Sequence, residues 1–116
     1  MSYCKWKTAS SSDQLLVDVI ERLLSKHPKL ISYIFHPSEP RLTQSAENLI
    51  CQSRAFSKGE GILVRIALDF WSRNGSVGLL EIWDLDGENF ENTMLALYTF
   101  GPRTFWTNAI TEALAL

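Results

Sequence analysis

Apolar residues along this chain recur at intervals of three and four, the period of an α-helix. In "SSDQLLVDVIERLLSKHP" they are Leu15, Leu16, Val19, Ile20, Leu23 and Leu24, a single stripe. Ser11 and Gln14 stand at capping-box spacing before it, and His27-Pro28 closes it. "KLISYIF" aligns Leu30, Ile31, Ile34 and Phe35 as a short helix between Pro28 and Pro37, and "HPSEP" reads as a rigid turn. "PRLTQSAENLICQS" places Leu42, Ala46, Leu49 and Ile50 at helical spacing, with Pro40 suited to its first turn.

The strongest signal follows. Ser57 and Glu60 form a capping box, and Ile62, Leu63, Ile66, Ala67, Phe70 and Trp71 give the broadest apolar arc of the chain. A helix over 57–73 is expected at the centre of the fold, ended by "NG" at 74–75, where Gly75 tolerates a left-handed cap. "SVGLLEIW" is read as a short helix over 76–83 capped by Ser76, because a lone strand would find no partner. A helix over 86–100 carries Phe90, Met94, Leu97 and Tyr98 and ends at Gly101-Pro102. "TFWTNAITEALAL" spaces Phe105, Trp106, Ala109, Ile110, Ala113 and Leu114 as a closing helix.

The expected architecture is therefore all-α: a compact single-domain bundle of six or seven short helices over 1–116. It contains a helix-turn-helix-like trihelical unit at 57–100 and a flexible N-terminal segment at 1–10. Length and composition agree. The 116 residues match one ordinary domain, and 46% hydrophobic residues with four tryptophans supply a core.

"IWDLDGENFEN", residues 82–92, concentrates acids around a glycine. With Gly87 at position 6 of a calcium loop, Asp84 and Asp86 fill positions 3 and 5, but positions 1 and 12 fall on Ile82 and Thr93. A helix start fits better. Asp86 is placed as N-cap, Leu85 and Phe90 have the spacing of a hydrophobic staple, and Glu88 faces the positive end of the helix dipole. Solvated capping acids keep ordinary pKa values, so Asp84 and Asp86 are not read as a catalytic pair.

The remaining chemistry is sparse. His27 and His36, each before a proline, are helix-boundary residues without a third metal ligand, and Cys4 and Cys51 are too far apart for a local metal knuckle. "KGEG" at 58–61 lacks the spacing of a phosphate loop. No cofactor and no enzymatic activity are expected. "MSYCKWKTASSSDQ" has no apolar run of the secretory kind, and the longest apolar stretch, "GILVRIALDFW", carries Arg65 and Asp69. A cytoplasmic, non-membrane protein is the expectation.

Charge gives the functional reading. Residues 1–58 hold eight Lys/Arg against five Asp/Glu, and residues 59–116 hold three against eight. No Lys or Arg lies between Arg73 and Arg103. A helix-turn-helix regulator would need cations on its recognition helix, where this chain has Glu88 and Glu91. DNA binding is the alternative reading. The first is a small protein-interaction module, an adaptor or inhibitor of the kind a phage or mobile element encodes in bacteria. It would present Glu81, Trp83, Asp84, Glu88 and Glu91 to a basic partner such as a nucleic-acid-binding protein. A homo-oligomer is also compatible with the sequence.

Overall fold

A computed structural model describes residues 10–73 and 75–100 of the chain. Among them are six α-helices in sequence: α1 (Ser11–Leu23), α2 (Pro28–Ile34), α3 (Ala46–Ser53), α4 (Lys58–Ser72), α5 (Leu79–Trp83) and α6 (Gly87–Phe100). No strand occurs among the described residues, so the all-α expectation holds. The expected closing helix, the Gly101-Pro102 stop and most of the N-terminal segment fall outside the described residues. Ser10 does not belong to a loose tail: its side chain caps α1 by accepting from the amide of Asp13 at 3.1 Å. The expected cap at Ser11 is thus one residue late, and Gln14 instead donates to Asp18 one turn on.

Helix α4 sits at the centre. The capping box is present as expected: Ser57 Oγ accepts from the amide of Glu60 at 3.2 Å, and the Glu60 carboxylate accepts from the Ser57 amide. The buried residues of α4 are Ile62, Leu63, Val64, Ile66, Ala67 and Leu68. At 100° per residue they cover about 240° of its circumference. Such an arc needs neighbours on several sides, and α1, α2 and α3 all pack against α4. Phe70 and Trp71, expected in the core, are only half-buried at its margin, while Val64 and Leu68 are fully buried.

α1 packs between α4 and α6. This explains why Val17 is fully buried and Leu15 is 59% exposed, although the sequence stripe runs through Leu15. Tyr33 ties α2 to α3. Its hydroxyl donates to the Leu49 carbonyl at 2.6 Å, and its ring meets Phe56 edge-on at 4.9 Å. Burial, with Cys51 nearby, raises the pKa of this phenol.

Two boundaries differ from the sequence reading. Pro40 does not start a helix. The chain doubles back after α2, with Phe35 and Leu42 in an antiparallel bridge and the Thr43 amide donating to the Ile34 carbonyl at 2.9 Å. His36 Nδ1 accepts the amides of Ser38 and Glu39, so its side chain stitches the turn. Prolines at 37 and 40 hold the preceding residues away from helical geometry, and α3 starts only at its own cap, Ser45.

At the end of α4 the left-handed residue is Arg73, with φ 62°, and no described glycine has a positive φ. Gly75 is required for a different reason. Its amide donates to Asp69 Oδ1 at 2.8 Å, and a Cβ there would lie 1.8 Å from the Arg65 carbonyl oxygen. Ser76, with φ 54°, does not cap α5, which starts three residues later, behind Gly78. The three helices of the expected trihelical unit are α4, α5 and α6, but the middle one is a single turn with no buried residue.

Candidate interaction surface

α5 is short because it has little to bury. Gly78 supplies no side-chain cap, and only Ile82 turns inward toward the core cluster. Leu79 is 84% exposed, Leu80 81% and Trp83 74%. Residues i, i+1 and i+4 lie on one side of a helix, so the three side chains form one outward apolar face. Trp83 is held from behind by Phe90 of α6, edge-on at 5.6 Å. The exposed Trp83 agrees with the sequence reading. Leu79 and Leu80 were missed, because two leucines at helical spacing look like core until the helix proves to be one turn long.

The acids of residues 81–91 mostly have partners within the chain. Glu81 Oε2 lies 2.7 Å from Arg65 Nη1, a charge pair and not an aligned hydrogen bond. Asp84 meets Lys58 at 3.3 Å, and Glu88 meets Lys26. Asp86 is the N-cap of α6, as expected, with Oδ1 accepting from the Asn89 amide at 3.0 Å. Glu91 is exposed and has no ion-pair partner among the described residues. The contrast between a basic first half and an acidic second half is thus partly met by pairs between the two halves. Lys26 and Lys58 lie before residue 59; Glu88 and Asp84 lie after it. These two pairs are largely exposed, so each is weak and can be exchanged.

A second polar constellation was not legible from the sequence. The starts of α2, α4 and α6 converge, and side chains from all three meet. Asn89 Nδ2 donates to Asp86 Oδ2 at 3.1 Å and faces His27 Nε2 at 3.3 Å. The other ring nitrogen of His27, Nδ1, faces α4. That nitrogen lies 3.7 Å from Glu60, which also meets Lys29 at 3.6 Å. The hydrogen bond from Ser57 holds the Glu60 carboxyl below the usual range, against the effect of burial; Lys29 and His27 add to the lowering. An imidazole beside a carboxylate resembles half of a hydrolytic triad, but the nearby hydroxyl, Ser57, donates to Glu60 at 3.0 Å and points its chemistry into the cap. The node is a clamp on three helix starts.

Among the described residues no three His, Cys, Asp or Glu side chains gather as a metal site, and no described helix is long and apolar enough to cross a membrane. The outline of α4–α5–α6 brings no cation into residues 79–100. Compared with protein-family models, with curated proteins and with solved structures, the chain gives no match, so its surface is read from its own chemistry.

Proposed function

We propose that the chain is a non-catalytic protein-interaction module and that α5 is its contact. The observation that carries this reading is the outward face of Leu79, Leu80 and Trp83 on a helix with no fully buried residue. A contiguous apolar face on a small domain marks interaction surfaces, and an aromatic held edge-on by a neighbour is pre-organised as an anchor. Asp84 follows Trp83 directly, and Glu88 and Glu91 lie on the next helix, α6, so the complementary partner offers an apolar groove with Lys or Arg nearby. Asp84 and Glu88 can exchange their exposed internal lysines for the partner's cations.

The test is affinity capture with the native chain and with a Leu79→Ser, Leu80→Ser, Trp83→Ala variant, followed by kinetics on the purified partner. The variant should lose the partner while keeping its helical spectrum. Trp83→Ala alone should speed dissociation, and Asp84→Lys with Glu88→Lys should slow association and flatten its salt dependence. Retention of the same partner by the folded triple variant rules the reading out. So does a salt-sensitive mobility shift of random DNA duplex, which would favour the helix-turn-helix alternative.

A further inference from the structure

A cleft of about 300 Å3 lies between the turn joining α3 to α4, the first two turns of α4, and α5. Its apolar part is Ile50, Phe56 and Ile62, and its charged lining is Arg54, Lys58 and Arg65 against the single carboxylate of Glu81. Three cations against one acid in a concavity is notable in a chain of net charge −2. The cations differ in how far they are committed. Arg65 is held by Glu81 at 2.7 Å and by the Ser76 carbonyl at 3.5 Å, so it builds the wall. Among the described residues Lys58 has only its exposed pair with Asp84. Arg54 is exposed and has no ion-pair partner among the described residues. A concavity focuses the field of the cations that line it.

We propose that this cleft binds a small amphipathic monoanion, an aromatic or branched apolar body with one carboxylate. The body lies on Ile50, Phe56 and Ile62, and the carboxylate bridges Arg54 and Lys58. Arg54 supplies the planar fork that matches a carboxylate, and Lys58 leaves its weak pair with Asp84 to complete the site. A single negative charge suits the site because Glu81 opposes a second one. The site does not use the apolar face of α5, but it shares the Lys58–Asp84 pair with the contact proposed above.

The test titrates isotope-labelled full-length protein with 2-naphthoate at low ionic strength, following backbone amides by NMR. The uncharged 2-naphthamide and inorganic phosphate serve as the two halves of the ligand. Naphthoate should give saturable shifts confined to the cleft, and each half should bind at least about tenfold more weakly. Arg54→Ala with Lys58→Ala should weaken naphthoate by about tenfold or more, while the spectrum elsewhere stays unchanged. Glu81→Gln should tighten it, because it removes the one opposing carboxylate and releases Arg65. Naphthamide or phosphate binding as well as naphthoate, shifts centred elsewhere, absence of saturation, or indifference to the Arg54 and Lys58 changes would each overturn the proposal.

Discussion

Asn89 and His27 are 62 positions apart, yet the Asn89 side-chain amide lies 3.3 Å from the His27 ring, at the meeting point of three helix starts. Asn89 is 5% exposed, so its pairing is made away from water. Replacing it with Asp would set a carboxylate against Asp86 where an amide now donates at 3.1 Å. Asn89→Ala should cost about 1–2 kcal/mol by leaving partners unpaired, and Asn89→Asp should cost more at pH 7. The gap should narrow at pH 4, as one of the two carboxylates takes a proton. Urea unfolding at both pH values measures this. An Asn89→Ala cost near zero at pH 7 would show that the node does not hold the helices.

Two glycines make opposite predictions. Gly75→Ala would drive a Cβ to 1.8 Å from a backbone oxygen that cannot swing aside, and should destabilise by roughly 3 kcal/mol or more. Gly59 lies in the first turn of α4, without a positive φ and with nothing within 4 Å of an added Cβ. Gly59→Ala should therefore stabilise by about 0.4–1 kcal/mol, chiefly by restricting the unfolded chain. Thermal melts decide both. A stable Gly75→Ala protein would contradict the close packing of that turn on α4.

Local signals were legible where a side chain acts on its own backbone. The Ser57–Glu60 box and the Asp86 cap need only residues within one turn, and both are present. Period alone also placed α4 at the centre. What it missed came from tertiary packing. The buried arc of α1 turns toward Val17 because two helices flank it, and Pro40 is held in a return loop by the pairing of Phe35 with Leu42. The candidate surface was half legible. Trp83 among acids pointed to α5, but the lysines that neutralise Asp84 and Glu88 come from far away in sequence, and the exposure of Leu79 and Leu80 depends on how little α5 packs.

The Glu60 carboxyl gives a pH prediction with a definite sign. Its folded pKa is lowered, first by the Ser57 hydroxyl. A depressed carboxyl contributes stability that is present above its unfolded pKa of about 4.3 and is lost as pH falls through the folded value. Ser57→Ala should raise the Glu60 pKa toward the ordinary range and cost about 1 kcal/mol at pH 7 through the lost cap. The difference in stability between the two proteins should stay level from pH 7 to about pH 5 and shrink below pH 4. Denaturant titrations across that range provide the check. A difference that grows as pH falls would reverse the assigned sign.

The proposed contact makes a further demand on stability: the outward side chains of α5 must be expendable to the fold. Leu68 is fully buried in α4, and Leu80 is 81% exposed on α5. Leu68→Ala removes core contacts and leaves a cavity, so it should cost about 2–5 kcal/mol. Leu80→Ser removes a side chain that mostly touches water and should change stability by no more than about 0.5 kcal/mol in either direction. Phe70→Ala, at the half-buried margin of α4, should fall between them. The ordering matters more than the sizes, because it separates residues kept for folding from residues kept for contact. If Leu80→Ser proved as costly as Leu68→Ala, the leucine would be part of the packed core, and α5 could not be the surface offered to a partner.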